Sequence, residues 1–407
     1  MAEAKTKRWR EQRWLIDNII QANGMDWDQP RSNYIAGPGG VESNVDMIAI
    51  RARIRKYADA APAFEAAARR REARAVESER DGNLVSTREN YFIAATQWGA
   101  AQWPIDETNQ QNIDYNTRKR ECYLKYAKLA DHRVEEAWVP IGGQKLPAWL
   151  HLPYGYSGGR VPAVINIPGM DSYKEIGVSM YGDRWLNRGI AVLALDGPGQ
   201  YESAVLGVHF SVDAWKKTGT AAYEWLAARP EIDAGKIGIS GNSFGSFFST
   251  IAASAEPRLA AVAVTATNLE PGAYTIFEEA SPTFKTRFMW MSNFTDEAAF
   301  DEFRKTITWE GSAEKIKAPY LAMSGESDEL CPLHFVEMMF KTMSCPRQLV
   351  IYQDCRHSLG GGVPSVALGP HPQGFVANWM AARLAGKPLT SERWYVDATG
   401  RIAKTPM

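Results

Sequence analysis

The chain has 407 residues, 45% of them hydrophobic, which is enough for one large domain with a sizeable core and a smaller second domain. Its formal net charge of −1 argues against nucleic acid or an anionic membrane as a partner. The four cysteines lack C-x-x-C spacing, the N-terminus lacks the apolar core of a signal peptide, and no apolar run could span a bilayer, so we expect a cytoplasmic protein without a metal or cofactor.

The first 132 residues have a helical composition, rich in Ala, Arg and Glu and poor in β-branched runs. Asn23-Gly24 and the run Gly37-Pro38-Gly39-Gly40 interrupt this pattern, because glycine and proline end helices. The predicted helices are Lys7–Ala22, Val45–Tyr57, Pro62–Val76, Thr87–Gln102 and Glu107–Leu129. We therefore predict an N-terminal helical domain over residues 1–132.

After residue 132, short apolar runs alternate with helical segments. Glu135–Ile141 and Lys145–Pro153 flank Gly142-Gly143, which predicts a β-hairpin. Six further predicted strands are Val161–Ile167, Ile190–Leu195, Ile237–Ile239, Leu259–Thr265, Tyr320–Met323 and Gln348–Tyr352, and the helical segments between them include Ser211–Arg229 and Asp296–Thr308. This alternation predicts an α/β domain with eight strands in a mostly parallel sheet over residues 133–390, followed by a C-terminal tail over residues 391–407.

The run Gly241-Asn242-Ser243-Phe244-Gly245 stands between a predicted strand and a helical segment. A serine in a tight strand–turn–helix, with glycine two positions away on each side, is the nucleophile elbow of α/β-hydrolases. The turn exposes the serine hydroxyl near a helix N-terminus, where free N–H groups favour negative charge. The sequence therefore predicts the α/β-hydrolase fold with Ser243 as the nucleophile.

A serine hydroxyl needs a general base, and three histidines follow Ser243 in the chain. His357 comes just after the last predicted strand, where the base belongs in this fold. His334 lies at the start of a helical stretch, and His371 lies between two prolines. We therefore expect His357 to be the base.

The acid that orients the base should leave the preceding strand. Asp328 has the best position, three residues after Gly325, and Glu326 and Glu329 are its competitors.

An oxyanion hole requires two backbone N–H groups directed at the developing alkoxide. We expect one from Phe244, which follows the nucleophile, and the other from Met170 in the loop over residues 168–172.

Several further motifs resemble one group of α/β-hydrolases. Gly169-Met170-Asp171-Ser172-Tyr173-Lys174-Glu175 is similar to its G-x-[DE]-S-x-K-E stretch, and the segment 196–203 resembles its D-x-P-G-x-G-E-S turn. The segments 229–233 and 256–261 match as well, whereas Tyr201 and Ser246 replace glycines common in the group. This group contains the fermentation-respiration-switch-like esterases and 2,6-dihydroxypseudooxynicotine hydrolase.

The resemblance, over roughly residues 130–390, implies that the N-terminal helices form a lid over the active site. It also implies hydrolysis either of an ester or of a carbon–carbon bond next to a ketone. We expect a small apolar, aromatic carbonyl substrate, and a homodimer is plausible. The alternatives are an acyltransferase or a non-catalytic binding protein on the same fold.

Candidate substrate contacts are aromatic residues of the lid and of the loops after strands. They are Tyr91, Trp98, Trp103, Tyr201, Phe210 and Trp290. An additional acid would assist carbon–carbon cleavage by protonating the leaving carbanion. The candidates for this acid are Asp171, Glu278 and Glu279.

Overall fold

The computed structural model describes residues 6–360 and 362–407. In the described part of the chain before residue 130, six α-helices form: α1 (Lys7–Asn23), α2 (Arg31–Ala36), α3 (Gly40–Arg53), α4 (Ala60–Arg80), α5 (Leu84–Gln102) and α6 (Gln110–Leu129). The five predicted helices are present with shifted ends, and α2 is an additional helix. The predicted break at Gly37 is a single 3₁₀ turn over Gly37–Gly39 that leads directly into α3.

Helix α5 is the centre of this helical layer. Residues 90–102 are buried on every side of the helix, which is expected when a helix has neighbours all around it. Its aromatic residues pack with those of α6, as in the contact between the rings of Phe92 and Tyr126 at 4.9 Å.

The rest of the chain builds one sheet. Its strands are β1 (Val134–Ile141), β2 (Gln144–His151), β3 (Val161–Ile167), β4 (Ala191–Leu195), β5 (Ile232–Ser243), β6 (Ala261–Thr267), β7 (Tyr320–Gly325), β8 (Arg347–Tyr352), β9 (Glu392–Val396) and β10 (Ile402–Pro406). Their order in the sheet is β1-β2-β4-β3-β5-β6-β7-β8-β9-β10. Within this order, all neighbouring strands between β4 and β9, including β3, pair in parallel. This is the predicted α/β-hydrolase fold with its N-terminal helical region.

The remaining helices connect these strands. They are α7 (Tyr201–Val205), α8 (Val212–Ala227), α9 (Phe244–Ala255), α10 (Pro282–Met291), α11 (Glu297–Phe303), α12 (Leu333–Thr342), α13 (Pro364–Leu368) and α14 (Pro372–Leu384). Among the described residues, no helix is both long enough and apolar enough to cross a bilayer.

The segment after residue 390 corrects one prediction. It is a β-hairpin that extends the sheet rather than a tail, because β9 pairs in parallel with β8 and antiparallel with β10. The eight predicted strands are all present, and these two bring the described sheet to ten.

The helical layer rests on loops that leave the carboxyl ends of the parallel strands. Arg8 donates to the carbonyl oxygens of Phe277 at 3.0 Å and Ala280 at 2.8 Å, and Pro38 accepts from the N–H of Met180 at 2.9 Å. The N-terminal helices therefore cover the edge of the sheet at which β5 ends in Ser243.

Candidate active site

Ser243 ends β5 in a left-handed backbone conformation, with φ 55° and ψ −131°, directly before α9 begins at Phe244. Holding a non-glycine residue there costs about 1–3 kcal/mol, which the surrounding packing must offset. The turn is tight enough that a Cβ at Gly241 would lie 2.1 Å from the carbonyl oxygen of Gly245. This is the strained turn that the Gly-x-Ser-x-Gly spacing predicts.

The structure brings Ser243, His357 and Asp328 together. His357 Nε2 lies 2.9 Å from Ser243 Oγ, and its Nδ1 lies 3.0 and 2.9 Å from the two carboxylate oxygens of Asp328. His357 and Asp328 are buried, whereas Ser243 is partly exposed. With Nδ1–H donating to Asp328, Nε2 is left to accept the proton of the serine hydroxyl.

The loops after β7 and β8 fix this arrangement. The N–H groups of Leu330 and Cys331 donate to Asp328 Oδ1 at 2.9 and 3.0 Å, which orients its carboxylate. The competing acid Glu329 accepts from the backbone N–H of His357 at 3.0 Å.

The other candidates for the base and the acid have partners outside the cluster of Ser243, His357 and Asp328. Glu326 accepts from the Tyr395 hydroxyl at 3.0 Å, on β9. His334 belongs to α12, where its ring packs on Phe335, and His371 precedes α14.

The pKa of His357 is set by opposing effects. Burial by itself would lower it, but the charge and hydrogen bond of Asp328, with smaller contributions from Glu329 and Asp171, raise it above its ordinary value. Asp171, which follows Met170 in the chain, contributes through its charge alone.

The predicted oxyanion loop lies against the elbow. A Cβ built on Gly169 would be 3.0 Å from Ser243 Cβ, and Met170 next to it is buried. Gln200 holds this loop, because its side-chain amide donates to the carbonyl oxygen of Pro168 at 2.7 Å. The backbone of Met170 and that of Phe244, the first residue of α9, therefore flank Ser243.

The N-terminal helices contribute a buried arginine to this region. Arg31 of α2 donates to Asp171 Oδ2 at 2.8 Å, and its other hydrogen bonds go to the carboxylate of Asp28. The Arg31 guanidinium also lies 4.1 Å from the ring centroid of Trp103. The helical layer thus reaches the loop that carries Met170.

Some predicted substrate contacts lie around this cluster. Trp103 stacks on Arg31, and the Tyr201 hydroxyl donates to the carbonyl oxygen of Asp171 at 3.1 Å. Trp290 donates from its indole N–H to Thr108 Oγ1 at 3.1 Å, which ties α10 to the helical layer.

Two other predicted substrate contacts, Tyr91 and Trp98, pack inside the helical layer. Tyr91 is held by Glu79 at 2.8 Å and Lys125 at 2.9 Å, and Trp98 is held by Glu72 at 3.3 Å; all three partners belong to α4 or α6. Tyr91 and Trp98 therefore belong to the interior of the helical layer, which corrects their assignment as substrate contacts.

Phe210 and the two glutamates have other neighbours. The Phe210 ring packs on Phe288 at 4.8 Å, and Glu278 pairs with Lys285 at 2.7 Å. Glu279 is the last residue of the short π-helical turn Thr275–Glu279. Of the three candidate acids, Asp171 is the one whose charge contributes to the pKa of His357.

Sequence reasoning missed Arg31, Gln200 and Arg287. Arg287 is a buried arginine of α10, and its guanidinium lies 4.5 Å from the Tyr201 ring centroid. The sequence signal for Gln200 was its place in the matched segment 196–203, but no local pattern marks Arg31 or Arg287 as buried.

A surface cavity of about 710 Å³ lies at the opposite edge of the sheet, where the parallel strands begin. Its lining includes Asp131, Pro153 and Glu231, and none of Ser243, Asp328 and His357 lines it. We assign it no catalytic role, because the chemistry-bearing side chains converge at the other edge.

Known proteins that are similar to this chain include several hydrolases. A family model described as X-Pro dipeptidyl-peptidase (S15 family) matches residues 134–276, which contain the elbow. The 2,6-dihydropseudooxynicotine hydrolase of Paenarthrobacter nicotinovorans is 28% identical over 289 residues, 69% of this chain and 74% of that protein. The crystal structure of 2,6-dihydroxy-pseudo-oxynicotine hydrolase aligns with a TM-score of 0.74 at 25% identity, over 88% of this chain and 97% of that one. The chain has the α/β-hydrolase fold and is similar to enzymes of that fold.

Further relatives match this α/β-hydrolase over a shorter stretch. An α/β-hydrolase of Xenoacremonium sinensis is 27% identical over 59% of the chain and 58% of its own length, so the chain spans little more than half of that relative. The solved structure of AbyA5, at 14% identity and a TM-score of 0.65, shares the fold. The predicted resemblance to the hydrolase group of nicotine breakdown is confirmed.

Proposed function

We propose that this α/β-hydrolase is a serine hydrolase, with Ser243 as nucleophile, His357 as general base and Asp328 as the residue that orients His357. The observation that carries the proposal is the 2.9 Å contact between His357 Nε2 and Ser243 Oγ, with Asp328 bound to the other ring nitrogen. Removal of the serine proton by a positioned base is what makes a hydroxyl nucleophilic near neutral pH.

The reaction has two stages. Ser243 Oγ attacks the substrate carbonyl carbon while its proton passes to His357 Nε2, and the N–H groups of Met170 and Phe244 bind the alkoxide. The tetrahedral intermediate then collapses, the leaving atom takes the proton from His357, and an acyl-enzyme ester remains. Water, deprotonated by His357, releases the acid and restores Ser243.

The substrate that we propose is a small aromatic carbonyl compound, cleaved at an ester bond or at the carbon–carbon bond of an acyl phenol. The aromatic rings of Trp103 and Tyr201 beside Asp171 support an aromatic substrate. The P. nicotinovorans relative is named as a hydrolase of 2,6-dihydropseudooxynicotine, which is consistent with such a substrate.

The test of this proposal is Ser243→Ala. We expect turnover of p-nitrophenyl esters or acyl phenols to fall by about 10⁴-fold or more, because the nucleophile is lost, while the melting temperature stays close to that of the parent protein. Product analysis then separates the two bond types, since acyl phenols yield a free phenol and an acid only by carbon–carbon cleavage.

A matched control is Ser249→Ala, a buried serine of α9 whose hydroxyl has no partner among the described residues. Removing an unpartnered hydroxyl should leave both stability and activity near the parent values. Retained turnover in the Ser243→Ala protein would refute the proposed nucleophile.

A further inference from the structure

Ser246 of α9 is the third residue after the nucleophile, at a position where glycine is common in the hydrolase group that the sequence resembles. The residue is fully buried. Its hydroxyl donates to the carbonyl oxygen of Ser243 at 2.6 Å and accepts from the backbone N–H of Asn268 at 2.8 Å. A glycine has no side chain for either bond, so the hydroxyl gives this chain an additional hold on its elbow.

The bond to the carbonyl oxygen acts on the conformation of the nucleophile. The ψ angle of Ser243, −131°, sets the direction of its carbonyl group relative to its side chain. Together with φ 55° this is a strained conformation, which persists only where the surroundings hold it. By holding the carbonyl oxygen, Ser246 restrains ψ and with it the direction in which Ser243 Oγ meets His357 Nε2, 2.9 Å away.

The second bond of Ser246 leads to the loop that follows β6. Asn268 is the first residue after this strand, and the next residue, Leu269, donates its backbone N–H to Cys331 Sγ at 3.1 Å. The backbone N–H of Cys331 in turn donates to Asp328 Oδ1 at 3.0 Å. These contacts connect the elbow with the acid by a route that does not include the imidazole. Asn268, Leu269 and Cys331 are buried, so bulk water does not compete for the bonds.

Ser246 is itself held in place. Thr250, one turn further along α9, donates from its hydroxyl to the carbonyl oxygen of Ser246 at 2.6 Å. The same hydroxyl lies 2.7 Å from the hydroxyl of Tyr320 on β7. Ser246 is therefore fixed relative to the sheet as well as to its own helix. A positioning role requires such support, because an unsupported side chain would follow the elbow rather than restrain it.

We propose that Ser246 is a positioning residue for the nucleophile: it couples the elbow to the loop that orients Asp328 and keeps Ser243 Oγ directed at His357 Nε2. This inference rests on the proposed function. Without the hydroxyl, the Asn268 N–H and the Ser243 carbonyl oxygen each lose a buried partner, and the elbow relaxes. Attack on the carbonyl carbon then slows. Substrate binding is unchanged, because the fully buried Ser246 offers the substrate no surface.

The experiment compares full-length Ser246→Ala with the parent protein by stopped flow, following the first release of p-nitrophenol from p-nitrophenyl acetate. This separates the dissociation constant of the substrate from the rate constant of acylation. We expect acylation to slow by about 10- to 100-fold and the dissociation constant to change by less than about twofold, because a misplaced nucleophile impairs attack and not binding. Ser246→Gly should behave in the same way. Ser246→Cys should be intermediate, since a thiol is a weaker donor and acceptor.

A fluorophosphonate measures the nucleophile with a second, unrelated reagent. Ser243 Oγ attacks phosphorus, its proton passes to His357, and fluoride leaves as the phosphorus–fluorine bond breaks. The rate constant of labelling should fall in Ser246→Ala by about 10- to 100-fold, as for acylation. Labelling or turnover that persists in Ser243→Ala would contradict the proposed function, whereas an unchanged labelling rate in Ser246→Ala contradicts the positioning role alone.

Ser254→Ala is the matched control. Ser254 lies on the last turn of the same helix, and its hydroxyl donates to the carbonyl oxygen three residues earlier, that of Ile251, at 2.7 Å. This is the same local bond as that of Ser246 but at the opposite end of α9, so both rate constants should stay at the parent values. If Ser246→Ala fails to fold, as judged by its melting curve, Ser246→Cys carries the test with an expected loss of about 3- to 10-fold.

Cys331→Ala tests the route to the acid. It removes the acceptor of the Leu269 N–H but keeps the backbone N–H that binds Asp328. If both side chains act through one set of contacts, adding Cys331→Ala to Ser246→Ala should slow acylation little further. Three outcomes overturn the inference: an unchanged acylation rate in Ser246→Ala, a weaker substrate affinity with unchanged acylation, or fully additive losses in the double variant.

Discussion

Three carboxylates act on the proton affinity of His357. Asp328 binds the ring directly, Glu329 accepts from the backbone N–H of the histidine, and Asp171 acts through its charge. Together they overcome the effect of burial and raise the pKa of His357. Since the base must be neutral to take the serine proton, kcat/KM should fall as the pH drops through this raised pKa.

Asp171→Asn tests the smallest of these three contributions. Removing a negative charge that favours the imidazolium lowers the pKa of His357, so the acidic limb of the kcat/KM profile should move to lower pH. The rate itself can fall as well, because Asp171 also binds Arg31, so the position of the limb is the decisive readout.

Asp213→Asn is the control, because Asp213 is an exposed residue of α8 paired with Lys217 and should leave the limb in place. A limb that stays unchanged in the Asp171→Asn protein, or that moves to higher pH, would contradict the placement of this charge.

The clustering of Ser243, Asp328 and His357 was predictable from the sequence, whereas the burial of Arg31 and Arg287 was not. Ser243, Asp328 and His357 each follow a strand, and parallel strands bring their carboxyl ends to one edge, so local pattern and chain order suffice. Arg31 lies in α2 and Arg287 in α10, and an arginine on a helix is usually exposed to solvent. Their burial depends on tertiary packing between the helical layer and the sheet, which no local pattern encodes.

At the scale of elements, α5 approaches the oxyanion loop through a glycine. A Cβ at Gly99 would lie 2.4 Å from the ring of Tyr173, whose hydroxyl donates to the carbonyl oxygen of Thr96 on the same helix. Tyr173 belongs to the same loop as Met170. The contact between Gly99 and Tyr173 therefore sets how closely the helical layer sits on this loop.

Gly99→Ala tests this contact. In an open helix interior, alanine would be favoured by about 1 kcal/mol, but here the added methyl group meets a buried ring. We expect a net loss of about 1–3 kcal/mol in the free energy of unfolding, together with lower activity, because Tyr173 must move. Denaturant unfolding and ester turnover measure the two effects.

Gly374→Ala is a matched control in α14, since nothing lies within 4 Å of its added Cβ. It should be neutral or slightly stabilising. A Gly99→Ala protein as stable and as active as the parent would show that the contact is not limiting.

The C-terminal hairpin shows why some elements escape sequence reasoning. The sequence of β9, Glu-Arg-Trp-Tyr-Val, is short and has no clean alternation, and most of the strand is half-buried. It becomes a strand because β8 offers a free edge with which it pairs in parallel. The hairpin β1–β2, by contrast, was predictable because Gly142-Gly143 marks its turn locally.

For the whole molecule, the helical layer and the sheet share buried charges. Lys119 of α6 lies 3.6 Å from Glu175, which also binds Lys174 at 2.8 Å and the Trp149 indole at 3.0 Å. Burial by itself would raise the pKa of Glu175, but Lys119 and Lys174 hold it at about 2. Part of the charge balance inside the α/β region thus comes from the N-terminal helices.

Deleting residues 1–130 tests whether the α/β region can stand alone. The truncation removes Lys119 and Arg31, which leaves Glu175 with one cation fewer and Asp171 without its partner. It also uncovers Trp149 and Met180, which pack in the core of the helical layer. We expect a poorly soluble, inactive product, because unpaired buried charge and exposed apolar surface both disfavour the folded state.

Full-length Lys119→Met separates the charge effect from the loss of cover. It removes the same cation while keeping the helices, so it should lower stability by about 1–4 kcal/mol but leave a soluble protein. If the truncated chain were soluble and active, the helices would be dispensable, and the role of a lid over Ser243 would have to be abandoned. If the truncation were soluble but inactive, the core would fold alone and the helices would serve catalysis through Arg31 and its neighbours.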